Sequence, residues 1–290
     1  MLDIKQFLKY VDISDLHDKI CKFRDLDFKK LDYQGVQNAI SKTIIFPTPQ
    51  GATSVLRPGL GNYPKGTRFF RVRTIPTDDH LLPLLSMRSV ADCWEPPSKI
   101  VKIGRLNREN ESLLYTAPMD PVVAIEELKI GDGQLFSLIV YEAIEQINIT
   151  IIGGQPNVGD FSKEEQLKLR MIQDFLKHEF IRDVGAGTEY LYRISESIAK
   201  DYFDLPPEFH DGWCYPSVAK KGGCNVCFRK SGHIKLKLVG VQLATVYRQP
   251  ENYLFQIKLI AKDSGDGDNL SYHEIGSNVQ HELFPEITSS

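Results

Sequence analysis

Three residues whose side chains could act together lie between positions 103 and 126. Arg105 follows Gly104 in a loop-like segment, Tyr115 lies in a short strand-like run, and Glu126 falls within two turns of a predicted helix start. An arginine, a tyrosine and a carboxylate at one end of a sheet would form a polar site. The alternative is a surface ion pair between Arg105 and Glu126 with Tyr115 in the core. Spacing alone favours this alternative, because exposed ion pairs are common.

A second group of polar residues runs from Asp211 to Ser217 and is followed by Asn225. Pro216 has no N–H to contribute to a sheet, so it would interrupt strand pairing and expose Ser217 at the end of a strand. No basic side chain stands beside Ser217 in the sequence, and the Gly-x-Ser-x-Gly elbow of serine hydrolases is missing. The sequence therefore does not support a nucleophilic role for Ser217.

Cys224 and Cys227 form a Cys-x-x-Cys motif that, with Cys214 and His233 nearby, offers four possible zinc ligands within twenty residues. Residues three apart in a regular strand point to opposite faces of the sheet, so Cys224 and Cys227 are not expected to share one ion. The glycine-rich stretches lack the contiguous Lys-Ser/Thr and the helix start of a phosphate-binding loop. We therefore predict no metal site and no such loop.

The elements that would position these residues predict an α+β fold without the regular alternation of a parallel βαβ sheet. Residues 1–55 have apolar residues at helical spacing and are predicted to be a helical N-terminal extension, with Ser14 capping a helix near Asp15. Residues 56–66, rich in Pro and Gly, are predicted to be a linker. The predicted main domain, 67–262, combines strands with helices. Asp120-Pro121 is predicted to start one helix, and Ser162 with Glu165 is predicted to form the capping box of another. The domain ends in two strands with alternating apolar residues, at 234–238 and 255–259, and 263–290 is predicted to be a polar, frayed tail.

Composition narrows the class of protein. The chain has 290 residues and a formal net charge of −3, which disfavours direct nucleic-acid binding because phosphate neutralisation requires a basic surface. No run of 18 apolar residues occurs, so no membrane span is expected, and Met1 to Lys5 does not begin a signal peptide. The five scattered cysteines are typical of reduced thiols in the cytoplasm, which is the predicted location.

Four segments in order resemble the RES domain, a family of bacterial toxins named for an arginine, a glutamate and a serine. The matching segments are the strand Phe70-Arg71-Val72-Arg73, the loop Gly104-Arg105-Leu106-Asn107, the Leu-Tyr-x-Ala strand and Ala-x-x-Glu helix from Leu114 to Glu126, and Asp211 to Ser217 with Asn225. The resemblance covers about residues 67–230. The chain departs from the family pattern at Ile103-Gly104, where the family often has Gly-Gly, and at Arg108-Glu109-Asn110, where it often has Pro and Gly.

The resemblance implies a split β-sheet core similar to that of ADP-ribosylating toxins, with a cleft for NAD as substrate and no further cofactor. It implies NAD breakdown at the nicotinamide–ribose bond, by a glycohydrolase or a phosphorylase, in a toxin of a toxin–antitoxin pair whose cognate partner is an Xre-like helix-turn-helix antitoxin.

The roles that the resemblance implies fall on six residues. Glu126, Arg105 and Tyr115 would be catalytic, and Arg71, Ser217 and Asn225 would bind the substrate. An ADP-ribosyltransferase acting on a macromolecule and a catalytically inactive protein-binding module remain alternatives.

Overall fold

The computed structural model describes residues 3–154, 159–266 and 268–288. Both ends of the chain, including the first two residues of the predicted extension and the last two of the predicted tail, lie outside the described residues, as does position 267. The helices are α1 Ile4–Leu8, α2 Ile13–Arg24, α3 Tyr33–Ile44, α4 Pro121–Glu127, α5 Lys163–Ile181, α6 Tyr192–Tyr202, α7 Lys230–His233 and α8 Asn278–Leu283. The strands are β1 Ile45–Thr48, β2 Gly51–Ser54, β3 Gly59–Tyr63, β4 Arg68–Thr74, β5 Leu114–Pro118, β6 Leu135–Ala143, β7 Ile147–Ile151, β8 Gly212–Pro216, β9 Cys224–Phe228, β10 Leu236–Arg248, β11 Tyr253–Asp263 and β12 Leu270–Glu274.

The fold is α+β, as the sequence predicts. Ten strands form one sheet in the order β12-β11-β10-β6-β4-β5-β9-β8-β7-β3, and β1 and β2 form a separate hairpin. Every pairing in the large sheet is antiparallel except β7 with β8, which are parallel. The chain between β7 and β8 contains α5 and α6, as a parallel connection requires.

The sheet opens at its centre, between β4 and β5. These strands pair only at Phe69 with Pro118 and at Phe70 with Ala117. Beyond Phe70, β4 continues along β6, whereas β5 continues along β9. The two halves of the sheet therefore diverge and leave a cleft between β4 and β5.

The N-terminal helices share a core with the rest of the chain. Phe23 of α2 packs edge-on against Phe175 of α5, with ring centroids 5.2 Å apart. The cap of α2 is Asp12, whose carboxylate accepts from the N–H of Asp15 at 2.9 Å, and not Ser14 as predicted. The predicted 1–55 extension also contains β1 and β2 after its helices.

Two segments that were predicted to be irregular are structured. The predicted linker at 56–66 contains β3, which pairs with β7 at the edge of the sheet. The predicted polar tail contains β12, which pairs with β11, and α8, after which Phe284 is fully buried. Phe284 reaches the backbone of Gly240, where an added Cβ would lie 3.2 Å from its ring. The tail therefore contributes to the core and is not frayed.

The other predicted elements are confirmed with small shifts of their ends. Ser162 and Glu165 form the predicted capping box at the start of α5. Asp120 accepts from the N–H of Val122 and caps α4, which begins at Pro121 as predicted. Among the described residues, no helix has both the length and the apolar character needed to cross a bilayer.

Candidate active site

A cleft of about 490 Å³ lies where β4 and β5 diverge. Two walls come from these strands, and α4, β8 and β9 close the remaining sides. Its lining residues are Phe70, Arg71, Val72, Arg73, Thr74, Tyr115, Thr116, Ala124, Glu127, Leu128, Tyr215 and Asn225. The volume lies within the range of small-molecule sites.

Glu127 is the carboxylate of this cleft. Its Oε1 accepts three hydrogen bonds, from Ser217 Oγ at 2.6 Å, from Asn225 Nδ2 at 2.7 Å and from the N–H of Val218 at 3.1 Å. Within the described residues, Oε2 has neither a hydrogen bond nor an ion pair. One oxygen therefore holds the carboxylate in place, and the other remains available to a ligand.

Glu126, the predicted catalytic carboxylate, is not among the residues that line the cleft. Its Oε1 accepts from Arg248 Nε at 3.0 Å and from Nη2 at 2.8 Å, and the same arginine binds Asp132. The hydrogen bonds that Arg248 donates to Asp132 and to Glu126 raise its pKa. The structure therefore places Glu126 in an ion-pair network and puts its neighbour Glu127 in the position that the sequence analysis assigned to Glu126.

The geometry of α4 explains why Glu127, and not Glu126, lines the cleft. Successive helical residues point about 100° apart, whereas residues three apart share a face. Ala124 lines the cleft, and so does Glu127 three positions later. Counting three residues from Ala124, as the Ala-x-x-Glu pattern requires, identifies Glu127, and this spacing is the signal that the sequence analysis missed.

Two arginines of β4 line the cleft, Arg71 and Arg73. Arg71 Nη1 donates to the main-chain oxygens of Trp94 and Cys93, the latter at 3.4 Å, and Arg73 Nη1 donates to the main-chain oxygen of Asp92 at 2.6 Å. The pKa of Arg73 is lowered, first by burial and second by the positive charge of Arg71. A guanidinium stays charged at neutral pH, so the pair is suited to binding an anion. The sequence predicts a substrate-binding role for Arg71 but none for Arg73.

Arg105, the second predicted catalytic residue, is held by the end of α5. Its guanidinium donates to the main-chain oxygens of Phe180 and of Arg182, the latter from Nη2 at 3.2 Å, and lies over the ring of Tyr192 at 5.5 Å. Arg105 is not among the residues that line the cleft. Its contacts join the 104–107 loop to the C-terminal carbonyls of α5, which favour a cation.

Tyr115 lines the cleft with its ring and holds the loop with its hydroxyl group. The hydroxyl donates to Asn107 Oδ1 at 2.8 Å and accepts from the N–H of Leu106 at 3.1 Å, and burial raises its pKa. A Cβ on Gly104 would lie only 2.4 Å from Asn107 Oδ1, so the loop requires glycine there. These bonds join the loop motif to the Tyr115 strand.

The two predicted binding residues after β5 both contact Glu127. Asn225 lies in β9 opposite Tyr215 of β8, a second tyrosine of the cleft that the sequence analysis did not single out. Ser217, directly after β8, donates to Glu127 and accepts from the N–H of Lys220 at 3.1 Å. Both residues are buried, so their immediate role is to position the carboxylate.

Cys224 and Cys227 lie on the two faces of β9, and Cys214 of β8 lies on the same side as Cys224. Cys224 has its sulfur 3.8 Å from the Tyr63 hydroxyl, and Cys214 has its sulfur 3.9 Å from the same oxygen. Cys227 is buried in a different apolar cluster, beside Tyr115. Among the described residues, no group of three or more His, Cys, Asp or Glu side chains is arranged to hold a metal ion.

No protein-family model, no curated protein and no solved structure matches the chain.

Proposed function

We propose that this protein is an NAD-degrading enzyme that cleaves the nicotinamide–ribose bond and acts as the toxin of a toxin–antitoxin pair. The observation that carries the proposal is the carboxylate of Glu127, fixed through one oxygen in a cleft that also contains Arg71 and Arg73. The order of the RES-like motifs supports the choice of substrate. The split of the sheet between β4 and β5 supports a core similar to that of ADP-ribosylating toxins.

The reaction suits a site with one well-placed carboxylate. Nicotinamide is cationic in NAD and leaves as a neutral amide, so no general acid is needed. The C1′–N bond breaks with its electron pair passing to nicotinamide, and the ribose develops oxocarbenium character, as in glycoside hydrolysis. Glu127 Oε2 would stabilise this positive charge and accept hydrogen bonds from ribose hydroxyls. An oxygen of water or phosphate then bonds to C1′, and its proton passes to the surrounding water.

The remaining residues bind and orient the substrate. Arg71 and Arg73 would hold the pyrophosphate, since a guanidinium fork matches phosphate oxygens. The rings of Tyr115 and Tyr215 offer faces against which the nicotinamide end would pack. We assign Ser217 and Asn225 to positioning Glu127. Arg105 would act indirectly, by fixing the loop that Tyr115 binds.

The test uses adjacent glutamates as a matched pair. Purified wild type is incubated with NAD, with and without phosphate, and nicotinamide release is measured by chromatography. We expect Glu127→Gln to lower the turnover rate about a hundred- to a thousandfold, the usual effect of losing one aligned electrostatic contribution. Glu126→Gln should keep near-wild-type turnover, because it loses only an ion pair outside the cleft.

The outcomes separate the candidate functions. Equal turnover in the two variants would refute the assignment of Glu127. ADP-ribosylated protein in the reaction would identify a transferase instead, and no nicotinamide release by folded wild type would leave a binding module. An Xre-like antitoxin is the proposed partner, and it should inhibit NAD loss by covering the cleft.

A further inference from the structure

The main-chain oxygens that hold the two cleft arginines belong to one short segment, residues 92–95. Arg71 Nη1 donates to two of these oxygens, and Arg73 Nη1 donates to a third, that of Asp92, at 2.6 Å. Because the acceptors are main-chain atoms, the path of this segment decides where the two guanidinium groups lie. The orientation of both arginines in the cleft therefore depends on what holds the 92–95 segment in place.

The start of the segment is fixed from the half of the sheet that carries the arginines. Asp92 Oδ2 accepts from the N–H of Ser89 at 2.7 Å and from its hydroxyl group at 2.8 Å, which closes a capping box. The hydroxyl group of Tyr141 donates to the main-chain oxygen of Cys93. Tyr141 lies in β6, which pairs with β4, so this contact holds the segment against the strand of the arginines.

The end of the segment is fixed from the other half of the sheet. A hydrogen bond of 2.9 Å joins His233 Nδ1 and Glu95 Oε2, and the ring of His233 lies 5.0 Å from that of Trp94. His233 ends α7, which directly follows β9, the strand whose Asn225 positions Glu127. The contact between His233 and Glu95 therefore bridges the arginines and the carboxylate across the divided sheet.

The surroundings of this pair suit a positioning role. Only 21% of the His233 side chain and 11% of the Glu95 side chain are exposed, so water competes little for their hydrogen bond. Neither residue is among those that line the cleft, so neither is placed to touch a substrate there. A binding group is effective only when its neighbours hold it in the required geometry. Without the hydrogen bond, the end of the segment on which both arginines rest would be free to shift.

We propose that His233 and Glu95 are positioning residues, which hold the 92–95 segment so that Arg71 and Arg73 can bind a diphosphate in the cleft. The identity of the ligand rests on the proposed function, in which the two arginines hold the pyrophosphate of NAD. The affinity of the arginine pair for a diphosphate then depends on a contact outside the cleft.

Inorganic pyrophosphate is the probe, titrated into the wild-type protein and its variants by isothermal calorimetry. His233→Phe keeps a ring against Trp94 but removes the hydrogen bond to Glu95, whereas His233→Asn loses the ring but offers an amide N–H in place of Nδ1. We expect His233→Phe to weaken pyrophosphate binding about tenfold, the change in affinity that corresponds to one hydrogen bond of a charged group. His233→Asn should bind pyrophosphate much more tightly than His233→Phe.

A second histidine–glutamate contact provides the matched control. His178 Nδ1 lies 2.8 Å from Glu179 Oε1 at the end of α5, and His178→Phe should leave the affinity for pyrophosphate unchanged. If His233→Phe does not fold, Glu95→Ala removes the other partner of the hydrogen bond and should show the same loss of affinity.

The Arg71→Gln protein tests whether His233 acts through the arginines. In this background Arg73 alone is left to bind pyrophosphate, so adding His233→Phe should weaken binding less than it does in wild type. A residue that only stabilises the fold would have the same effect in both backgrounds, because independent changes are additive. In NAD turnover, His233→Phe should raise KM and leave kcat close to wild type, as expected when binding is lost equally in the ground and transition states.

The proposal is overturned if folded His233→Phe binds pyrophosphate as tightly as wild type, if His233→Asn loses as much affinity, or if the effect is undiminished in the Arg71→Gln background. A wild type that does not bind pyrophosphate overturns it as well, together with the role of the arginines. Pyrophosphate binding does not require NAD cleavage. A wild type that binds pyrophosphate but releases no nicotinamide would therefore refute the enzymatic function and leave this test intact.

Discussion

The hydrogen bond between Asn225 and Glu127 permits a test of the site that does not depend on any substrate. Asn225→Asp keeps the size of a buried side chain but replaces a donor, 2.7 Å from Glu127 Oε1, with a carboxylate oxygen. Two ionised carboxylates at that distance repel each other, so the folded variant must take up a proton that the two carboxylates share. The unfolded chain holds no such proton above about pH 5.

The magnitude follows from this proton balance. Since the folded variant binds one more proton than the unfolded chain, its stability falls as the pH rises, by about 1.4 kcal/mol per pH unit. Near pH 5 the shared proton restores a hydrogen bond, and the variant should be close to wild type in stability. At pH 7 it should be less stable by about 3 kcal/mol, which most folded domains survive.

The assay is urea unfolding of wild type and variant at pH 5, 6 and 7, with the difference in unfolding free energy compared at each pH. The double variant Asn225→Asp/Glu127→Gln is the control, because it leaves a single carboxylate at the contact and therefore no proton to share. Its stability relative to wild type should not change between pH 5 and pH 7, and it should not recover NAD turnover. An Asn225→Asp protein with no excess pH dependence over wild type would refute the inferred contact, as would a double variant that keeps this excess pH dependence.

Two further predictions concern the loop and the arginines. Gly104→Ala should lower the melting temperature and the turnover rate, because its Cβ would overlap the Asn107 amide oxygen that the Tyr115 hydroxyl binds. Gly185→Ala is the control, since its Cβ meets nothing within 4 Å and should change neither quantity. Equal effects of the two substitutions in melting scans would contradict the loop geometry. Arg71→Lys should raise the KM for NAD about tenfold, because the guanidinium fork is lost, whereas Arg105→Lys should chiefly lower the melting temperature. If steady-state kinetics show a larger increase in KM for the Arg105 variant, Arg105 belongs to the substrate site.

Local signals in the sequence predicted much of the fold. The capping box at Ser162, the Asp120-Pro121 start of α4 and the alternation in β10 and β11 act over a few residues and do not depend on distant partners. β3 and β12 were missed because they are short edge strands, stabilised by pairing with β7 and β11, which the local pattern does not reveal.

The candidate site was predicted only in part, again because local patterns do not reveal contacts with distant parts of the chain. Arg71, Tyr115 and Asn225 line the cleft, and each lies in a strand, where the position within a motif fixes which neighbours a residue has. The choice between Glu126 and Glu127 depends on the rotation of a seven-residue helix, which is set by packing against β4 and β5. Arg105 binds carbonyls more than seventy positions away, at Phe180 and Arg182, which no local motif specifies.

The early end of the ladder between β4 and β5 has a consequence for mutagenesis. Past Phe70 and Ala117, no strand of the described residues pairs with the facing edges of β4 and β5, so main-chain N–H and C=O groups on these edges have no strand partner. Side-chain substitution cannot delete these groups. A ligand that enters the gap can therefore be recognised through the peptide backbone as well. A variant without Arg71 and Arg73 would keep a residual affinity that does not depend on charge. Its affinity would change little with salt concentration, unlike binding through the two arginines.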